Sequence, residues 1–233
     1  MKDWRWFIWH PHSFENSVLL KSNKTVNGST NYGAGIFSIA SGMEVKGCSF
    51  TGLNYGVYFG INGSKTYNAS IIGSTFTSCL NGIVNLGRAS VFINDNRFEM
   101  DDDIPTQSPA PQVGIYLYSS ILGQTIEQNA FVRSNEYFLY FFFFLAGYTG
   151  SYYNRINENT FTGLDMGTEN NSKNGELIEK YVSGLTYTCN EFADITDYDF
   201  YIKYPNNGLY GMNPIQSNPG LLVTTPYHYG AQN

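Results

Sequence analysis

The sequence predicts an all-β solenoid of about seven stacked coils, on three observations: a six-residue phrase that recurs along the chain, a second phrase that follows it, and connections of uneven length. The first phrase reads apolar, two variable, small polar, one variable, Phe. Its copies are Trp9 to Phe14, Val45 to Phe50, Ile71 to Phe76, Ile93 to Phe98, Ile126 to Phe131, Ile156 to Phe161 and Tyr187 to Phe192. Intervals of 36, 26, 22, 33, 30 and 31 residues between the Phe positions are too uneven for helical repeats of fixed period. They suit a coil whose strands are constant and whose loops drift.

The second phrase is Gly35-Ile36-Phe37, Gly56-Val57-Tyr58-Phe59, Gly82-Ile83-Val84 and Gly114-Ile115-Tyr116-Leu117-Tyr118, and it gives each coil a second strand. Between Phe98 and Gly114 the surplus is polar and Pro-rich, with Asp101-Asp102-Asp103-Ile104-Pro105, Pro109 and Pro111, which reads as a loop inserted at a corner. Ser22 to Gly33 and Thr162 to Asn174 read as further loops. The ten-residue run Tyr137 to Ala146 is about half of what a bilayer span needs, and it reads as the second strand of its coil.

Parity assigns the small polar position. Side chains on a straight strand alternate faces, so Ile126 and Phe131, five apart, point the same way only if the chain bends between them. The bend is expected at Asn96, Asn129, Asn159 and Asn190, because Asn tolerates a left-handed backbone. Where Cys48 or Ser74 stands instead, Gly47 or Gly73 just before it can supply the dihedral. Stacked coils bring these Asn side chains about 4.8 Å apart, where amides bond from coil to coil as a ladder. A residue repeated in every coil serves the coil rather than a catalytic site.

The pair Ile93-Asn94-Asp95-Asn96-Arg97-Phe98 and Gly114-Ile115-Tyr116-Leu117 resembles the coils of right-handed parallel β-helix proteins, the pectate-lyase-like superfamily, and in particular its bacterial secreted repeat proteins. The resemblance covers about Trp9 to Ile202. It implies a right-handed, single-stranded parallel β-helix and a secreted or cell-surface location. It leaves function open, since the same solenoid carries lyases, hydrolases, epimerases, adhesins and phage tailspikes. The polygalacturonase-like members carry Asn-Thr-Asp, Asp-Asp, Gly-His-Gly and Arg-Ile-Lys; here Asp101-Asp102 stands in an insertion, Arg155-Ile156-Asn157 lacks the Lys, and no Gly-His-Gly occurs. The lyase-like members need calcium carboxylates beside an Arg or Lys base, and that set does not transfer either.

The 233 residues fit one β-helix domain spanning residues 1–233, with neither end showing a solenoid cap, as expected of an internal segment of a longer protein. A net charge of −6 and a pI near 5.0 argue against nucleic acid or an anionic membrane as partner. The run Trp4 to Trp9 is too short for a signal peptide. The three cysteines, Cys48, Cys79 and Cys189, have no metal-type spacing and read as buried small apolar residues, with a Cys48–Cys79 disulfide as the alternative. Trp9 and His12 fit the first copy of the repeat, while the Trp and His side chains of residues 4–12 can also be read as a sugar-stacking surface.

Within Ile93 to Phe98 only Asp95 and Arg97 stay free of the repeat, and they are the candidate catalytic pair if the chain is a polysaccharide lyase or glycoside hydrolase. Asp95 with Glu127 or Glu158 can stack one coil apart as paired carboxyls, although at these variable positions a solvated surface is the preferred explanation. Asp101, Asp102 and Asp103 are the candidate calcium ligands, without the Gly and terminal Glu of an EF-hand loop. If Val57, Phe59, Ile115 and Leu117 point inward, then Tyr58, Tyr116, Tyr118 and Tyr201 point outward and, with Phe37, form an aromatic column that can bind a glycan. The inserted loops can equally fold over these rings. The sequence thus reads as a non-catalytic secreted or cell-surface module, structural or adhesive, with polysaccharide as its expected partner and no obligatory cofactor. The oligomeric state is not fixed by the sequence.

Overall fold

A computed structural model describes residues 12–15, 17–20, 24–26, 29–31, 33–39, 41–60, 67–86, 89–100, 112–118, 123–133, 141–146, 154–171, 175–178 and 181–203. Its backbone is a parallel β-solenoid in which each coil contributes one strand to each of three sheets. The coil of Ala89–Asn94, Arg97–Met100 and Gln112–Tyr118 is representative. The first sheet stacks His12–Glu15, Met43–Lys46, Tyr67–Ile72, Ala89–Asn94, Thr125–Glu127, Asn154–Asn157 and Tyr181–Thr188, all parallel, with Gly175–Ile178 antiparallel at the end. The second runs from Val18–Leu20 to Glu191–Ala193, and the third from Ala34–Ile39 to Tyr198–Lys203. The two-strand coil expected from the sequence is therefore corrected to three strands, because the six-residue phrase is split at its middle between the first and second sheets.

The split follows from burial. Val45, Ile71, Ile93, Ile126 and Ile156 are the last residues but one of first-sheet strands and are buried, and so are Phe50, Phe76, Phe98, Phe131 and Phe161, five residues further on. Only a corner between them turns both inward. The Phe rings stack face to face up the core, at 4.7, 4.8, 4.6, 4.8 and 4.8 Å from Phe50 to Phe192. Each fully buried ring contributes about 1.5–3 kcal/mol of apolar burial. The second phrase begins with Gly because the ring column leaves no room there: a Cβ on Gly82 would stand 2.6 Å from the Gly114 carbonyl oxygen and 2.8 Å from Phe98.

At the first corner the left-handed residue is not the Asn. Positive φ falls one place earlier, on Gly47, Gly73, Asp95, Gln128, Glu158 and Cys189, all of which are exposed. The expectation that Asn makes the bend is thus corrected: the preceding residue turns the chain, and this frees the Asn to point inward. There the ladder forms as expected. The Asn96 N–H and Nδ2 donate to Asn129 Oδ1 at 3.0 and 2.9 Å, Asn129 donates likewise to Asn159 Oδ1, and Asn159 to Asn190 Oδ1. Each Nδ2 also reaches back one coil, as from Asn129 to the Ile93 carbonyl at 3.0 Å. Ser74 and Cys48 continue the column, with Cys48 N–H donating to Ser74 Oγ and Ser74 N–H to Asn96 Oδ1.

A second corner, two residues after the Phe, again uses positive φ, at Gly52, Ser78, Gly163 and Asp194. In the coil of Phe98 this position is Met100, a buried strand residue, and the surplus chain enters after it.

Three further expectations are corrected. The first copy of the repeat is not Trp9 to Phe14, because Phe14 pairs with Val45 and Leu19 with Phe50, so the copy is Phe14 to Leu19 with Ser17 in the ladder column. The loop expected at residues 162–174 is not one up to Asn171, since Thr160–Thr162 and Met166–Asn171 are strands of the second and third sheets, and residues 172–174 lie outside the described residues. The loop of residues 22–33 contains a hairpin of Lys24–Val26 and Ser29–Asn31. Phe141–Ala146 is a third-sheet strand, as the run ending at Ala146 predicted.

Candidate functional site

Alternation on the third sheet fixes what faces outward. Val57, Phe59, Ile115 and Leu117 are buried at 0–3% exposure, so Tyr58 and Tyr116 between them lie on the outer face. Pairing then carries one column through Phe37, Tyr58, Val84, Tyr116, Phe144, Glu169 and Tyr201. Tyr118 belongs to the neighbouring column, beside Leu86 and Ala146. Three of the four tyrosines expected to act together therefore share one column at the level of the backbone, and the fourth stands two residues along.

The rings at the start of the column are stacked on each other. Phe37 and Tyr58 lie 4.7 Å apart with planes within 5°, and Tyr55 meets Tyr58 edge-on at 5.2 Å. A ring that stacks along the solenoid axis turns its face to its neighbour and its edge to the solvent. Burial pushes the Tyr58 hydroxyl above the ordinary phenol range, with Tyr55 adding to the effect, so it remains a neutral donor and acceptor. Phe37 is 59% exposed and Ile39 47%, the most exposed large apolar residues described. Tyr55 was not legible as part of this group, since it stands before the Gly that opens the phrase. A bulge lies beside Tyr116: Val113 pairs with Phe142 but Tyr116 with Phe144, so Gly114 and Ile115 together oppose one residue.

The candidate catalytic pair is arranged differently. Asp95 sits exposed at the first corner, with φ of 54°. Arg97 is on the outer face of the second sheet, where its Nε donates to Glu99 Oε1 at 2.6 Å. Glu99 also accepts the Thr77 hydroxyl at 3.0 Å, and Arg97 above all holds its carboxyl below the usual range. Glu127 pairs in register with Asn94 and Asn157 rather than with Asp95, and it accepts from Arg155 at 3.0 Å. Glu158 shares the corner column with Asp95, separated by Gln128, whose Nε2 donates to it at 3.0 Å. That bond, with Asn157, lowers the Glu158 carboxyl. A glycosidase acid needs a raised pKa, and the shifts of Glu99 and Glu158 run the other way.

Asp101, Asp102 and Asp103 lie outside the described residues, as do Trp4, Trp6, Trp9 and His10. Among the described residues no group of three His, Cys, Asp or Glu side chains is placed to hold a metal ion. Cys48 and Cys79 are buried free thiols, Cys79 pushed up to about 11 by burial, whereas Cys189 is exposed at its corner, contrary to expectation. Among the described residues no helix is long and apolar enough to cross a membrane.

No protein-family model, curated protein or solved structure matches the chain.

Proposed function

We propose that the chain is a non-catalytic structural and adhesive module that works at the cell surface or outside the cell and binds polysaccharide along the outer face of its third sheet. The observation that supports this is the column that begins with Phe37 stacked on Tyr58 and, interrupted by the buried Val84 and by Glu169, brings Tyr116 and Tyr201 into the same register. Successive rungs of a parallel sheet stand about 4.8 Å apart, close to the rise of one residue in an extended glycan. Ring edges offer apolar contact and the tyrosine hydroxyls offer hydrogen bonds, so the sugars are gripped from the side rather than sandwiched. The secreted setting rests on the resemblance of the coils to secreted β-helix repeats.

The test is calorimetric titration of the full chain with a panel of neutral and acidic polysaccharides, with and without calcium. Loss of one good hydroxyl contact is worth about 1 kcal/mol, so the double variant Tyr58→Ala, Tyr116→Ala, which loses two, is expected to bind roughly thirtyfold more weakly. Unsaturated product or new reducing ends that vanish with Asp95→Ala or Arg97→Ala would overturn the non-catalytic reading.

A further inference from the structure

The outer face of the first sheet carries a modification signal that the coil repeat does not explain. Asn68-Ala69-Ser70 has the Asn-x-Ser spacing of an N-linked glycosylation acceptor, and it is the one such triplet that lies wholly within the described residues. In a chain rich in Asn and Ser such a triplet arises freely, so its surroundings carry the weight. Ala69 and Ile71 point into the core, so Asn68 and Ser70 share the outer face, Asn68 exposed and Ser70 half-buried. Asn81, Asn94, Asn96 and Asn129 all engage their side-chain amides in hydrogen bonds. Among the described residues nothing bonds the Asn68 amide or the Ser70 hydroxyl. The space beside Asn68 is open as well. On the preceding rung Gly42 lies against the Asn68 backbone, where a Cβ would stand 2.6 Å from the carbonyl oxygen, so no side chain rises there. On the following rung its register partner is Ser90, a short side chain whose hydroxyl donates to the Gly123 carbonyl at 2.7 Å. Beside Ser90, in register with Ser70, stands Phe92, which is 36% exposed and belongs neither to the core nor to the aromatic column of the third sheet.

We propose that Asn68 is an N-linked glycosylation site whose first sugars lie over Phe92. The Asn68 Nδ2 attacks the anomeric carbon of an oligosaccharide carried on a polyprenyl diphosphate. The new C–N bond replaces the C–O bond to the diphosphate, which leaves with the electron pair, and the amide gives up one proton. A glycan on Asn68 projects from the side of the coil into solvent and disturbs no packing, whereas the same group on a ladder Asn would have to be buried. Rungs about 4.8 Å apart and a step of two residues along the strand put Phe92 about 8 Å from Asn68 on the diagonal, within reach of the first sugars. The apolar face of a sugar then covers the ring. This accounts for an exposed Phe set among polar neighbours such as Glu44, Asn94 and Thr125. The polysaccharide-binding face is on the third sheet, so the modification leaves it open.

The site rests on the extracellular setting of the adhesive reading, and the test separates the two by supplying the export signal. The full chain is expressed behind a host secretion leader in cells that carry out N-linked glycosylation. Peptide N-glycosidase in heavy-oxygen water then converts each occupied Asn to labelled Asp, and the Asn68 peptide is read by mass spectrometry. Asn68 is expected to carry glycan in most molecules, Ser70→Ala to abolish it and Ser70→Thr to keep it, all with unchanged circular dichroism. Enzymatic release from the native chain is expected to be roughly fivefold faster in Phe92→Ser, the equivalent of about 1 kcal/mol. An exported, folded chain with Asn68 unmodified, or label at Asn68 that survives Ser70→Ala, would overturn the site, and an unchanged release rate in Phe92→Ser would overturn the contact with the ring. Failure of polysaccharide binding along the third sheet is read in the titration of the Tyr58 and Tyr116 variants and leaves this result untouched. A chain that its own cells do not export would overturn the setting on which both readings rest.

Discussion

The first and second corners solve the same problem, turning a strand through a single left-handed residue, but only the first locks the turn with a side chain. From Gly47 to Cys189 the first corner is always two residues long, the outer one with positive φ and the inner one in the ladder, buried from Cys48 to Asn159 and half-buried at Asn190. The second corner has positive φ at Gly52, Ser78, Gly163 and Asp194 but not at Met100 or Arg133, and after each of these two the sequence carries surplus residues before the next third-sheet strand. Its bonds between coils are mainly backbone, such as Gly52 N–H to the Thr77 carbonyl. A corner held by a chain of buried amides cannot accept an extra residue without breaking every bond in its register. A corner held by backbone alone can be replaced by a loop, which costs little entropy per added residue. Insertions, and whatever loop-borne function they carry, therefore collect away from the ladder.

The sharpest way to break this contrast is to remove one rung. Asn129→Ala takes away the acceptor of Asn96 N–H and Nδ2 and removes one donor from each of the Ile93 and Glu127 carbonyls, of which Glu127 keeps the Asp95 N–H. Stranding several buried groups is expected to cost about 3–4 kcal/mol, read as a fall in the urea midpoint. Ser78→Ala at the second corner should change stability by less than about 0.5 kcal/mol.

Next in size is the glycine column beside the stacked rings. Gly82→Ala forces a methyl against Phe98 and the Gly114 carbonyl, with an expected loss of about 3 kcal/mol. Gly73→Ala meets nothing within 4 Å and suffers only from its φ of +59°, about 1 kcal/mol. Thermal unfolding of the two variants side by side separates crowding from backbone strain.

A third change should reverse sign. Asp95→Gly relieves a left-handed non-glycine residue at φ 54° and is expected to stabilise the fold by up to about 1 kcal/mol, measured by denaturant unfolding. If glycan binding is also unchanged, Asp95 is a corner residue and nothing more.

The smallest effect is electrostatic. Arg97 depresses the Glu99 carboxyl below its ordinary 4.5, so its contribution is present above that pH and disappears as pH falls through the lowered folded value. The pair is on the surface, so the gain is under about 1 kcal/mol. Glu99→Gln should flatten the acid side of the stability profile by that amount and leave neutral-pH stability lower by the same margin.

The interior was legible because its physics repeats. Asn96, Asn129, Asn159 and Asn190 stand at one place in the phrase, and each copy announces the ladder. The bend was misplaced by one residue because the sequence reading gave Asn two roles that the chain divides between neighbours. The first copy was misplaced by five, since Trp9 and Phe14 match the letters of the phrase whereas the true rung closes on Leu19. The aromatic column was legible as an alternation, but not the Tyr55 edge contact or the bulge beside Tyr116. Those depend on how one strand sits against the next, which a single coil does not encode.

Native-state hydrogen exchange tests the central claim most directly, that side-chain amides at the first corner lock the solenoid. The backbone amides of Asn96, Asn129 and Asn159 are expected to exchange only through global unfolding, while those of Gly52 and Gly163 at the second corner open first. Exchange of the three Asn amides by local opening, as fast as the second-corner glycines, would contradict it.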